Sequence, residues 1–167
     1  MAKRRTVKKS SRSVSRSVNK SITLSNDKKS NIVRIFIEML NLVKLYHWKT
    51  HSFAQHKATD ELYEHLNEHI DKFVEVLMGK GTSKGADQGK GTIKGSTKYN
   101  SRIHMVNQRI QLMDQNLKTF KEKIYEYRAF LVDLTNILNS KQDTDLLSIR
   151  DEILADINKF LYLMTLD

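Results

Sequence analysis

The sequence predicts an all-α four-helix bundle, and three observations predict it. No proline occurs among the 167 residues, and all six glycines fall between Gly79 and Gly95. Strong helix breakers are therefore absent everywhere else. Outside a basic N-terminal stretch and the glycine window, apolar residues recur at spacings of three and four, the period of a helix with one buried face. The length suits one domain with one core.

Residues 1–25, rich in Ser, Lys and Arg with only isolated valines, read as a disordered basic tail, and residues 26–167 as the bundle. The first helix is expected over 26–49, with Asn26 or Asp27 as N-cap. Ile32, Ile35, Phe36, Met39, Leu42, Val43 and Tyr46 form its apolar face. The second is expected over 55–78 with Leu62, Leu66, Ile70, Phe73, Val74 and Leu77 inward, and Gly79 in the C′ position that ends a helix. The Gly/Lys/Ser/Thr run 79–98 reads as a long flexible crossover. A segment of that kind is uncommon inside a compact domain, so it is functional or demanded by topology. The third helix is expected over 99–139, where an unbroken heptad seam runs from Ile103 to Leu138. At 1.5 Å per residue it would reach about 60 Å unless it bends or breaks. The fourth is expected over 143–165, with Leu146, Ile149, Ile153, Ile157 and Phe160 inward. Short links make the first and last pairs antiparallel, and a long second-to-third crossover is the ferritin-like connection.

There is no cysteine, which excludes disulfides and thiolate sites. A metal site must use His, Asp and Glu, a set suited to iron, manganese or zinc. No apolar run approaches the roughly 20 residues of a membrane span, and the N-terminus lacks the apolar core of a secretory signal. A soluble intracellular protein, in cytoplasm, nucleoid, nucleus or virion, is the expectation.

The net charge of +10 is unevenly placed. Lys3, Arg4, Arg5, Lys8, Lys9, Arg12, Arg16 and Lys20 face no acid within residues 1–20, and five lysines stand against Asp87 in 80–98. The remainder is mildly acidic. Such a tail implies sequence-independent, salt-sensitive binding of DNA or RNA through phosphate. No aromatic residue lies in the first thirty, so base stacking is not offered. The run RRTVKK also suits a nuclear address, and seven serines between 10 and 25 are candidate phosphorylation sites that would weaken such binding.

The second helix carries a metal-ligand register. His56 and Asp60 are four apart, as are Asp71 and Glu75. Eleven steps of 100° bring Asp71 to within about 20° of Asp60, so all four share one side. His47 stands at the end of the first helix, across the short turn from His56. His56 and Asp71 are about 22 Å apart along the axis, too far for one site. An antiparallel second copy, with a two-fold axis near His65, sets His56 and Asp60 of one subunit against Asp71 and Glu75 of the other, and makes two equivalent sites.

The stretch YHWKTHSFAQHKATDELYEHLNEHIDKFVEVLMG, Tyr46 to Gly79, resembles the Dps proteins, mini-ferritins that protect DNA. The family pattern is a His-Trp pair, a second His, Asp four later, Asp eleven further on and Glu four beyond. Here these are His47-Trp48, His56, Asp60, Asp71 and Glu75. The resemblance implies that His47, His56 and Asp60 come from one subunit and Asp71 and Glu75 from its dimer mate. It implies that Trp48 lies beside the site and intercepts oxidising equivalents; ordinary core packing is the alternative role for Trp48. Asp143 to Asp167, with Lys159, Phe160 and Tyr162 near its end, is similar to the family's last helix. The motif is also similar to ferritin-like proteins of large DNA viruses. The link from His47-Trp48 to His56 is shorter than the family's, and 79–98 replaces a short interface helix, departures that bear on the twelve-subunit cage. No Glu-x-x-His of the ordinary ferritin site occurs, and His51, His65, His69 and His104 are expected as surface or interface histidines without matching partners.

The expectation is thus a ferroxidase that oxidises Fe(II) at an intersubunit site in a homo-oligomer and binds nucleic acid through its tail. A non-enzymatic virion or chromatin protein, using the bundle for assembly and the tail to hold DNA, is the rival. Zinc or manganese as a fixed dimer staple is a third reading.

Overall fold

A computed structural model describes residues 24–80, 109 and 116–166. Residues 1–23 of the expected disordered tail with all eight of its cations, the crossover beyond Lys80 and most of 99–116 lie outside the described residues, whereas Leu24 and Ser25, expected in the tail, belong to the start of the fold.

Four helices form: α1 Asn26–Lys49, α2 Phe53–Gly79, α3 Leu117–Ile137 and α4 Thr144–Leu163. Each start has a local cause. Ser25, rather than Asn26 or Asp27, caps α1 by accepting from the Lys28 N–H, while Asp27 in the first turn and Lys49 in the last complement the helix dipole. Ser52 caps α2 by accepting from the Gln55 N–H, so α2 starts at Phe53 instead of residue 55. Gly79 is the last helical residue, not a left-handed terminator; Lys80 continues in the right-handed region with φ −63° and ψ −22°.

A single helix over 99–139 does not form. Asn116 is extended, with φ −81° and ψ 172°, and its side chain accepts from the Thr119 N–H at 3.0 Å. The seam expected from heptad spacing is buried from Phe120 to Leu138, but a side chain that satisfies an orphan N–H outbids continued helix at Asn116. Asn116→Ala is expected to destabilise the fold by about 1 kcal/mol, measured by urea unfolding.

Asp143 precedes α4 without a side-chain cap bond. Its carboxylate instead accepts from the Asn139 N–H at 2.8 Å and from Lys80 Nζ at 3.1 Å. Lys80 also reaches Asp145 at 2.7 Å and the Gln142 carbonyl at 2.6 Å, tying the end of α2 to the α3–α4 turn. Burial works against the ammonium, but its bonds to Asp145 and Asp143 overcome this and hold Lys80 above its ordinary pKa. Burial raises Asp145, and the Lys80 bond and the Leu146 N–H outweigh it and leave that carboxyl lowered. The lysine contribution is complete below its unfolded pKa and is lost as pH rises through the raised folded value. The Asp145 contribution is complete above its unfolded pKa and is lost as pH falls through the lowered one. Lys80→Met is therefore expected to cost about 1 kcal/mol or less near neutrality. Comparing unfolding at pH 7 with unfolding below pH 3.5 should show the difference shrinking in acid.

The core is one aromatic and aliphatic seam. Phe36 meets Phe73 edge-on at 5.1 Å and Phe130 at 6.0 Å. Tyr46 stacks on Phe120 at 3.9 Å, and Phe160 approaches the same ring at 5.9 Å. The ends that meet give the directions. Tyr46 near the end of α1 meets the start of α3, and Phe36 near the start of α1 meets Phe130 near the end of α3. His65 and Lys80 of α2 pair with Asp156 and Asp143 at successively earlier points of the chain through α4. Neighbours are thus antiparallel, in the cycle α1–α2–α4–α3, and the backbones of the diagonal pairs do not approach closely among the described residues. It follows that α2 and α3 run parallel, with Gly79 and Leu117 at opposite ends of the bundle. Among the described residues no helix is long and apolar enough to cross a membrane.

Candidate metal centre

The turn between α1 and α2 locks two histidines together. Thr50 and Tyr46 both donate hydroxyl bonds to Gln55 Oε1 at 2.8 Å, which fixes the turn. His47 is buried at 7% exposure, and its ring stacks on His56 at 3.9 Å. His47 Nδ1 donates to the His56 carbonyl, and His56 Nδ1 donates to the His47 carbonyl, each at 3.1 Å. The His47 carbonyl belongs to the last turn of α1, where helix carbonyls lack backbone partners. Because a carbonyl only accepts, both imidazoles carry their proton on Nδ1, which leaves each Nε2 a free lone pair when the ring is neutral.

That tautomer is the one a metal ligand needs, and an Nδ1–H bond to a carbonyl is the usual support behind a ligating histidine. His47 Nε2 faces Asp60 Oδ1 at 3.7 Å. A lone pair aimed at a carboxylate is resolved by a proton or a cation between them. Thr59, fully buried, donates to the Gln55 or His56 carbonyl at 2.7 and 3.0 Å and leaves its oxygen 3.4 Å from His47 Nδ1.

His47, His56 and Asp60 are therefore brought together. Asp71 and Glu75 are not: both are exposed further along α2. Among the described residues no three His, Asp or Glu side chains form a group that could hold a metal by themselves. Trp48 is 68% exposed, which rules out core packing in this chain, and Phe53, at the start of α2, is 78% exposed. Lys44 Nζ lies 5.8 Å from the Trp48 ring centre and 4.5 Å from that of Tyr63. Asp60 also borders an open cleft of about 630 Å³ shared with Glu61, Glu64, Leu163 and Met164.

His65 and His69 do have matching partners, contrary to the sequence expectation. Their Nδ1 atoms meet Asp156 Oδ1 and Oδ2 of α4 at 3.1 and 3.0 Å. His51 is exposed, and His104 lies outside the described residues. Sequence reasoning missed Gln55, Thr59 and Asp156. Asp156 had a signal, since Glu152 and Asp156 repeat at four, as His65 and His69 do. Lys159, read as part of the last-helix pattern, bonds Glu61, which lowers the carboxyl and raises the ammonium.

A family described as a family of unknown function, DUF5856, matches residues 47–164. No curated protein and no solved structure matches the chain.

Proposed function

Since the chain belongs to the DUF5856 family of unknown function, its chemistry must be argued from its own residues, and we propose that it is a Dps-like ferroxidase with an intersubunit iron site. The observation that carries this reading is the reciprocal bonding of His47 and His56. It presents Nε2 of His47 to Asp60 while leaving two exposed carboxylates, Asp71 and Glu75, on the same helix. A second chain, packed antiparallel along α2, would bring its Asp71 and Glu75 to the His47, His56 and Asp60 of the first. The exposed Trp48 and Phe53 would be covered in the same step, which supplies an apolar reason for the dimer.

The helix cycle supports a ferritin-like bundle. Parallel α2 and α3, joined by a connection that must pass from one end to the other, are what a long crossover produces. A closed cage, up to a dodecamer, is the proposed assembly. Nitrogen and carboxylate ligands suit ferrous iron as a substrate that binds, oxidises and leaves. Two Fe(II) give one electron each to peroxide, whose O–O bond breaks to give two hydroxides, and the ferric product is released from the carboxylates. Trp48, which follows His47 in the chain and is exposed, would lose an electron to a stray oxidant. The eight tail cations would hold nucleic acid by counterion release, so binding should fall steeply with salt.

The deciding test is an Fe(II) titration with peroxide, followed by ferric absorbance, on the wild type and on Asp71→Ala/Glu75→Ala. Fast oxidation in the wild type that is lost in the variant is expected. Oxidation no faster than buffer, or equal in both, would leave a ferritin-like scaffold whose tail binds genome. Zinc or manganese bound without turnover would identify a dimer staple.

A further inference from the structure

One end of the bundle keeps an open apolar cleft. α1 stops there at Lys49, α2 begins at Phe53, and α4 stops at Leu163. The first turns of α3 meet those ends: Phe120 lies 5.9 Å from Phe160, and Lys121 Nζ donates to the Met164 carbonyl at 2.8 Å. Leu117 is 38% and Leu166 55% exposed at this end. The cleft of about 630 Å³ lies between the start of α2 and the end of α4. Leu163, Met164 and Leu166 line it from one side, and Asp60, Glu61 and Glu64 from the other, outnumbering Lys57. Glu61 already holds Lys159, so the excess negative charge sits on Asp60 and Glu64.

Residues 102–113 precede α3 in the chain and, apart from Arg109, lie outside the described residues. Their sequence carries Ile103, Val106, Ile110 and Met113, spaced by three, four and three as on one helical face. Arg102 and Arg109, seven apart, fall on one flank of that face, and the stretch has no acid. This stripe finds no partner by prolonging α3. Asn116 is extended, with φ −81° and ψ 172°. A straight helix back to Ile103 would also stand about 20 Å past the end of the bundle, with no described helix to cover it. Leaving four large apolar side chains in water is unfavourable.

We propose that the face formed by Ile103, Val106, Ile110 and Met113 docks in this cleft, across the end of the bundle, with Arg102 and Arg109 toward Asp60 and Glu64. Chain length selects this occupant. Met113 is three residues from Asn116, so within about 10 Å of it, and Met164 of the cleft is held by Lys121 in the adjoining turns of α3. The 21 residues 81–101 reach up to about 70 Å, against roughly 40 Å for the length of α2, so the glycine-rich part alone spans the bundle. Charge selects it as well, two arginines meeting two carboxylates, and Arg109 is exposed as a flanking residue would be. The basic tail is a poorer occupant. It joins at Leu24, about 36 Å away at the other end of α1, and offers only isolated valines.

Cysteine cross-linking reads this directly, because the chain has no cysteine of its own. In the full chain Leu166→Cys is combined with Val106→Cys, with Ile110→Cys or, as a control on the opposite side of the stripe, with Gln108→Cys. Mild oxidation is expected to join the first two pairs within one chain and to leave the control open. Equal joining of all three, as a free tether gives, overturns the proposal. So does a product formed only between chains, as a second copy in the cleft gives. A second measurement does not depend on which residues meet. The thiol of Leu166→Cys is timed against a chromogenic disulfide reagent, with and without Val106→Ser/Ile110→Ser. The serine variant, helical by circular dichroism, is expected to react about tenfold faster or more, since two aliphatic side chains no longer hold the stripe in place. An unchanged rate overturns the docking. Neither experiment contains metal, so neither result depends on whether the wild type oxidises iron.

Discussion

Mixing two inactive variants is expected to restore iron oxidation. His56→Ala/Asp60→Ala removes one half of every proposed site, and Asp71→Ala/Glu75→Ala removes the other. Alone, each variant forms dimers in which both sites are broken. Unfolded together in equal amounts and refolded, half of the dimers are mixed. In a mixed dimer one site has lost both halves and the other is intact, because the first variant contributes Asp71 and Glu75 and the second contributes His56 and Asp60. Activity should return to about one quarter of the wild-type rate per chain, the share of sites rebuilt under two-fold symmetry. No single-chain site behaves in this way. If the mixture stays as inactive as its components while the dimer forms, the intersubunit assignment is wrong. A site assembled within one chain would be left.

The largest stability effect is expected from Phe120→Ala. The Phe120 ring is fully buried, stacked on Tyr46 and met edge-on by Phe160. It joins the first turn of α3 to both α1 and α4 at the end where the two histidines are locked. Removing it deletes a large apolar contact and leaves a cavity between three helices, a loss of about 3–5 kcal/mol. Urea unfolding followed by circular dichroism measures this. A loss under 1 kcal/mol would mean that the α3 start can collapse into the gap. Because Tyr46 directly precedes His47, the variant should also weaken iron binding even where the fold persists.

Helix existence was legible in the sequence because the apolar period is long and uninterrupted in each of the four stretches, and most inner residues of α1, α2 and α4 were read from it, although Ile35 and Val74 are only half-buried and Val33 and Thr59 are buried without having been expected. The ends were less legible. The Ser25 cap was passed over for Asn26 or Asp27, the second helix was started at residue 55 without its Ser52 cap, and Gly79 was read as a terminator although its backbone stays helical. The seam from Ile103 to Leu138 concealed the start at Asn116, since heptad spacing carries no information about a side chain that bonds a backbone N–H three residues ahead. For the candidate centre, spacing identified the face of α2 and the proximity of His47 to His56. It said nothing of the two carbonyl bonds that select the tautomer, because backbone acceptors leave no trace in a side-chain pattern. His65 and His69 were misjudged for a related reason. Their partner is 87 or more residues away in sequence, and only antiparallel pairing of α2 with α4 brings it near.

The opposite placement of Gly79 and Leu117 also governs how the chain assembles. α1 with α2, and α3 with α4, are two helical hairpins, each built from near neighbours in sequence. Joining them requires the closure of one long loop, whose entropic cost grows only with the logarithm of its length: doubling it adds about 0.6 kcal/mol. The connection is thus nearly free to vary in length and composition. The interhelical contacts that decide stability, above all those between α2 and α4, belong to the late, non-local docking of the hairpins, a step that sets the folding rate through sequence separation. In such a fold two chains could exchange whole hairpins and keep the contacts between α2 and α4.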